Sequence, residues 1–277
     1  MKLDTNPEIG KSITADGYKV NYLEMGTGEP VLLIHGSGAG VTAWVNWNRT
    51  LPALAQTHRA IALDMLGFGH SDHARGEVYS KEIWVEFLKS FLDALGLEKA
   101  SFLGNSYGGA MTLAFATRYP ERVKNFVLMG AAGLDYEVGP EINKGFKYEP
   151  SLENMRILLS RFYYDKSLLT DDLVEARHRA SMRPGLHETF RKMFPGTGQE
   201  IITNMSTSAE KITEIPHNVL IVHGREDVFV PVSNAIRMNE IIPRSQLHIF
   251  GQCGHWAQLE HRERFNALIS QFFNEKG

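Results

Sequence analysis

The sequence predicts an α/β fold, a mostly parallel, doubly wound sheet with a helical lid inserted between two of its strands. Three observations predict it. Short continuous apolar runs recur along the chain, helical periodicity fills most intervals between them, and one long interval carries helical periodicity with no such run. Parallel neighbours need a crossover connection and a helix is the usual one, so alternating strands and helices argue for a parallel sheet covered on both faces.

In chain order, Ile9 to Glu24 alternates apolar and polar residues around Asp16-Gly17, a dipeptide that tolerates positive φ, which predicts an antiparallel hairpin. Gly26, Gly28 and Pro30 interrupt the pattern before Val31-Leu32-Leu33-Ile34, a run suited to a strand buried on both faces. Similar runs are Ala60 to Leu63, Ala100 to Leu103, Asn125 to Met129, Val219 to Val222 and Gln246 to Phe250. Helices are expected over Lys81 to Leu95, Gly109 to Tyr119 and about Glu263 to Phe273. From Leu134 to about Glu214 only helical spacing appears, as in Leu152, Met155, Leu158, Leu159 and Phe162. Residues 134–214 are therefore expected to form the lid, over a core of residues 1–133 and 215–277.

The 277 residues are 43% hydrophobic and 22% charged, which suits a globular core with an inserted subdomain and excludes a disordered chain. The net charge of -3 comes from 29 basic and 32 acidic residues with no basic run, so nucleic acid is not an expected partner. Met1 to Gly10 has no apolar h-region, and no stretch approaches the roughly 18 apolar residues of a membrane span. The single cysteine, Cys253, offers no disulfide framework, and a cytoplasmic protein is expected.

Leu103-Gly104-Asn105-Ser106-Tyr107-Gly108-Gly109 sets a G-x-S-x-G between a predicted strand and a predicted helix, the context in which a sharp turn exposes a serine hydroxyl. A hydroxyl needs a base whose pKa lies near the working pH, and histidine is the usual one. Among eleven histidines, His255 follows the last predicted strand, at the sheet edge where ligands of open α/β sheets bind. His248 lies within that strand pattern, while His58, His178 and His261 fall on polar helical stretches. An acid to orient the base is expected on the same edge, and Asp227 follows Val219 to Val222, with Glu226 and Asp135 as alternatives. The order Ser106, Asp227, His255 is that of the α/β-hydrolases. His35-Gly36-Ser37-Gly38-Ala39-Gly40 follows the strand Val31 to Ile34, so the amides of Ser37 and Tyr107 are the expected oxyanion donors. A phosphate cradle fails on spacing, since G-x-G-x-x-G would need glycine at Val41. His70-Ser71-Asp72-His73 has metal-like spacing but follows a turn-rich loop, and neither a metal nor a cofactor is expected.

These segments resemble a known family. His35 to Gly40 with Trp44 and Asn46, Gly104 to Gly109, and Cys253-Gly254-His255-Trp256 are similar to the meta-cleavage product hydrolases. Met182-Arg183-Pro184-Gly185 and Met193-Phe194-Pro195 are similar to the members that act on 2-hydroxymuconate semialdehyde. The resemblance implies hydrolysis of a carbon-carbon bond in 2-hydroxy-6-oxohexa-2,4-dienoates, which yields 2-hydroxypenta-2,4-dienoate and a small carboxylic acid. It also implies that Arg177 meets the anionic end of the dienoate, with Arg183 as the alternative, and that Asn46, Asn105, Phe162 and Trp256 contact substrate. Family precedent implies a homo-oligomer. The competing readings are a carboxylesterase of the same fold and a ligand-sensing protein that keeps the catalytic residues.

Overall fold

The computed structural model describes residues 6–77 and 79–275. The ends of the expected core, residues 1–5 and 276–277, lie outside the described residues, and with them half of the stretch read for a leader. The chain opens with strands β1 (Lys11–Ala15) and β2 (Tyr18–Met25), paired antiparallel about Asp16 and Gly17, both at positive φ as such a tight turn requires. Strands β3 (Pro30–Ile34), β4 (Arg59–Leu63), β5 (Ala100–Asn105), β6 (Val123–Met129), β7 (Val219–Gly224) and β8 (Ser245–Phe250) complete one eight-stranded sheet in the order β1-β2-β4-β3-β5-β6-β7-β8. β2 meets β4 antiparallel, and every later pairing is parallel.

The apolar runs are continuous because both sheet faces are covered. Along β3, Val31 and Leu33 enter one hydrophobic cluster while Leu32 and Ile34 enter the other, and Ala60 and Ala62 alternate in the same way with Ile61 and Leu63. Helices α1 (Ala43–Trp47) and α2 (Leu51–Leu54) lie between β3 and β4, α3 (Lys81–Ala94) between β4 and β5, and α4 (Tyr107–Arg118) between β5 and β6. α4 starts at Tyr107, two residues before its expected start. Gly108 and Gly109, poor helix formers, are tolerated in this first turn because it packs directly on the sheet.

Six α-helices fill the chain between β6 and β7, with a 3-10 turn (Lys166–Leu168) among them: α5 (Pro140–Phe146), α6 (Leu152–Phe162), α7 (Asp171–Ser181), α8 (Leu186–Met193), α9 (Gly198–Met205) and α10 (Ala209–Thr213). Several carry their own start signals: Ser151 caps α6, Thr170 caps α7, and Thr197 with Glu200 forms a capping box on α9. Their apolar faces join the same cluster as one face of the sheet, through Met155, Leu158, Phe162, Phe190 and Ile202. After β7 come α11 (Val232–Ile241), then β8, α12 (Ala257–Glu260) and α13 (Arg262–Asn274). His58 and His261, expected on helical stretches, lie in a turn before β4 and between α12 and α13, because the helices on either side end short of them.

Candidate active site

Ser106 stands between β5 and α4 with φ 54° and ψ -114°, a backbone conformation that a non-glycine residue keeps only when its surroundings enforce it. Three hydrogen bonds do so: its N–H donates to Met129 O at 2.9 Å, and its carbonyl accepts from Ala110 N at 3.1 Å and Ala132 N at 3.2 Å. Gly108 completes the turn, since a Cβ there would lie 2.3 Å from Ile34 O. The serine thus meets the start of α4, where the first N–H groups have no acceptor within the helix and the dipole favours negative charge.

His255 arrives from the loop after β8. Its Nδ1 lies 2.6 Å from Asp227 Oδ2, and its backbone N–H donates to Phe162 O at 2.8 Å. Asp227, on the loop after β7, is buried, and its Oδ1 accepts from the amides of Phe229 at 2.8 Å and Val230 at 3.1 Å. Burial pushes the Asp227 carboxyl up, but the charge and hydrogen bond of His255, with His223 and the Val230 amide, outweigh it and hold the group below the usual carboxylate range. A carboxylate that stays ionised on Nδ1 leaves Nε2 of His255 as the proton acceptor. The two alternative acids are engaged elsewhere: Glu226 accepts from Cys253 N at 3.0 Å, and Asp135 accepts from Thr203 Oγ1 at 2.9 Å.

Ser106 and His255 line one cavity with Ser37, Gly38 and Tyr107, and about 520 Å³ inside it is free of atoms. Phe162 is also in its wall, stacked between Phe229 (ring centroids 4.4 Å apart) and Trp256 (4.3 Å). The other four expected contact residues are buried just outside this wall. Asn46 Oδ1 accepts from Gly36 N at 3.2 Å and its Nδ2 has no partner among the described residues; Asn105 Nδ2 donates to Met129 O at 3.1 Å and its Oδ1 has none. Arg177 is fully buried, donates from Nη2 to Ala39 O at 2.9 Å, and leaves Nε without a partner among the described residues. Burial brings its guanidinium down to about 10. These groups surround the turn after β3, for a Cβ on Gly36 would lie 2.9 Å from Asn105 Oδ1 and one on Gly38 would lie 3.2 Å from Arg177 Nη2. Arg183 sits instead against His70, its Nη1 2.8 Å from Nε2. A second, wider cleft, with about 1340 Å³ free of atoms, borders Arg49, Tyr163 and Glu260 and includes neither Ser106 nor His255.

The metal-like run is committed to turn structure. Asp72 accepts from Lys19 N at 2.7 Å, His73 Nδ1 lies 2.8 Å from Thr189 Oγ1, and Ser71 Oγ donates to Asp64 O. No group of three or more His, Cys, Asp or Glu among the described residues is arranged to hold a metal ion, and no helix is long and apolar enough to cross a membrane.

A family model described as the alpha/beta hydrolase fold matches residues 29–262. A 2-hydroxymuconate semialdehyde hydrolase of Pseudomonas sp. strain CF600 is 44% identical over 270 residues, 98% of this chain and 95% of that protein. A 2-hydroxy-6-oxo-2,4-heptadienoate hydrolase of Pseudomonas putida strain F1 is 45% identical over 269 residues, 97% of this chain and 98% of that one. A solved meta-cleavage product hydrolase, CumD from Pseudomonas fluorescens IP01 in complex with acetates, superposes with a TM-score of 0.95 at 50% identity, covering 97% of this chain and 99% of the other. The chain belongs to the meta-cleavage product hydrolases.

In this meta-cleavage product hydrolase, sequence reasoning missed most of the apolar wall of the cavity. Ile142 and Phe146 of α5, Phe190 of α8, Ile202 and Met205 of α9 and Phe229 after β7 face the same space as Ser106. The spacing of Ile142 with Phe146 and of Ile202 with Met205 was available as a helical signal. What it lacked was a direction, because periodicity says that a face is buried and not against what.

Proposed function

We propose that this chain hydrolyses the C5–C6 bond of 2-hydroxy-6-oxohexa-2,4-dienoates, with Ser106 as nucleophile, His255 as base and Asp227 as the group that orients the base. The dienol first ketonises: its hydroxyl proton leaves and C5 gains one, so the electron pair of the C5–C6 bond acquires a carbonyl sink. Ser106 Oγ then attacks the C6 carbonyl while His255 takes its proton, and the Ser37 and Tyr107 amides hold the oxyanion. Collapse breaks C5–C6 and sends its electron pair into the dienolate, which takes the proton from His255 and leaves as 2-hydroxypenta-2,4-dienoate, while the acyl group stays on Ser106. Water, activated by His255, releases it as the carboxylic acid.

The observation that carries the reading is the buried Arg177 guanidinium, hydrogen-bonded to a neutral carbonyl and with Nε unpartnered, beside the turn that lines the cavity. A buried charge is costly unless paired, and a carboxylate with an adjacent enolate is the partner that suits a planar, forked donor. The partnerless Nδ2 of Asn46 and Oδ1 of Asn105 would then meet the polar end of the dienoate, with Trp256 behind Phe162. The other end, at C6, would then face the apolar side chains of Ile142, Phe146, Phe190, Ile202 and Met205, which supports an uncharged substituent over a carboxylated one. In this reading residues 134–214 are the lid, and the working form is a cytoplasmic homo-oligomer, which light scattering coupled to size exclusion would test.

The test is the visible absorbance of 2-hydroxymuconate semialdehyde and of its 6-methyl analogue. Wild type should bleach both, Ser106→Ala should lose at least about a thousandfold in kcat, and Arg177→Ala should lose about a hundredfold on the dienoates with little loss on p-nitrophenyl acetate. Hydrolysis of the ester without bleaching of either dienoate would favour a carboxylesterase, and equal losses for Arg177→Ala on ester and dienoate would remove its assigned role.

A further inference from the structure

The loop that carries His255 is held by three successive amides that bond to three different parts of the molecule. Cys253 N–H donates to Glu226 Oε2 at 3.0 Å beside the Asp227 loop, Gly254 N–H to Glu260 Oε1 at 2.7 Å on α12, and His255 N–H to Phe162 O at 2.8 Å at the end of α6. Glu260 does more than close this loop. Its second oxygen, Oε2, accepts from Tyr164 N at 2.8 Å and Asp165 N at 3.0 Å, the second and third residues of the connection from α6 towards α7. One carboxylate therefore fastens the base loop and the exit of a cavity-lining helix to each other.

The packing there leaves no slack. A Cβ on Gly254 would lie 2.5 Å from Phe162 O and 3.0 Å from Tyr164 N, so the two backbones touch directly. Phe162, whose carbonyl is part of this junction, stacks parallel to Trp256, one residue after His255, with planes 4° apart. Movement of the 162–165 backbone relative to 254–256 would therefore displace the base and a wall of the cavity together. We infer that Glu260 is a positioning residue that couples the seating of His255 to the closure of α6 over the substrate. An amide in its place would keep one accepting oxygen but turn an N–H₂ towards an N–H donor, releasing one side of the junction. An aspartate is one methylene too short to span both.

This inference rests on the assignment of His255 as the base, and its test separates the two. p-Nitrophenyl acetate and the yellow dienoate are compared on Glu260→Gln and Glu260→Asp, with rates scaled to the folded fraction from circular dichroism. A released base lowers kcat on both substrates by tenfold or more, and a released α6 raises KM several-fold for the dienoate while KM for the small ester changes less than twofold. A structural role alone would leave kcat and KM of the folded fraction within twofold of wild type on both substrates, and that result would overturn the inference. Should the variants fail to fold, hydrogen exchange on wild type decides it. The amides of Gly254, Tyr164 and Asp165 should exchange with matched protection as one unit, and a hundredfold or greater difference between residue 254 and residues 164–165 would overturn it. A wild type inactive on dienoates but active on the ester would refute the proposed substrate and leave the Glu260 comparison intact on the ester.

Discussion

At the scale of single residues, the site depends on polar groups held in one protonation state by their neighbours. His35, at the base of the turn that carries Ser37, is fully buried, with Nδ1 2.7 Å from Gly36 O and Nε2 3.0 Å from Met65 N–H. These partners assign the proton to Nδ1 and the acceptor role to Nε2. Burial, helped by the charge of Arg177, lowers its pKa from 6.5 to about 4. A depressed histidine pKa means that the unfolded chain binds a proton that the folded one refuses, so this contribution to stability is complete above pH 6.5 and is lost as pH falls towards 4. The loss reaches about 3 kcal/mol near pH 4. Denaturant unfolding between pH 7 and pH 4.5 should therefore show a shallower pH dependence for His35→Gln than for wild type, and identical slopes would show that His35 titrates normally.

Elements set the angle at which chemistry is presented. β5, the Ser106 turn and α4 act as one unit because α4 approaches β3 with no side chain between them at Gly108. Gly108→Ala forces a Cβ to 2.3 Å from Ile34 O and 2.7 Å from His35 O, backbone atoms that cannot swing aside. The expected result is a loss of about 3 kcal/mol in denaturant unfolding, with a fall in activity of the remaining folded protein as Tyr107 N moves away from Ser37. Gly96→Ala makes the control. That glycine, unlike Gly108, has positive φ and nothing among the described residues within 4 Å of a Cβ, so it carries backbone strain alone and should cost on the order of 1 kcal/mol. Equal costs for the two would mean that close approach does not govern the turn.

For the whole molecule, the sheet and the six helices between β6 and β7 share one hydrophobic cluster but differ in what each can sustain alone. α5, α8, α9 and α10 are 7, 8, 8 and 5 residues long. Helices of this length are marginal in water without a surface to pack on. β3, β5, β6 and β7 are central strands, each paired on both sides and buried on both faces. Native-state hydrogen exchange should find their amides opening only with global unfolding, while residues 140–213 open at a distinctly smaller free energy. One opening free energy for both regions would refute a separable lid. Such opening would give the substrate a route in, since the cavity is lined by these helices and by the loops at the carboxyl ends of the strands.

Much of this was legible in the sequence, because strand burial, the G-x-S-x-G turn and loops at the sheet edge are local signals. The expected strands all fall on observed ones, and Ser106 and His255 line one cavity with Asp227 behind the histidine. Residues 134–214 were legible only as helices. Which of their faces meets Ser106, and that Phe162 stacks on Trp256, depend on how α6 lies against a loop more than ninety residues further along the chain. The turn at Ser106 was written by its own neighbours, since glycines at fixed offsets specify it. The Glu260 junction, the wall of Ile142, Phe190 and Met205, and the partnerless polar atoms around Gly36 exist only once distant backbones have closed on each other. Sequence carries periodicity and turn chemistry because these act over a few residues, whereas contacts between elements are fixed by packing the whole chain into one volume.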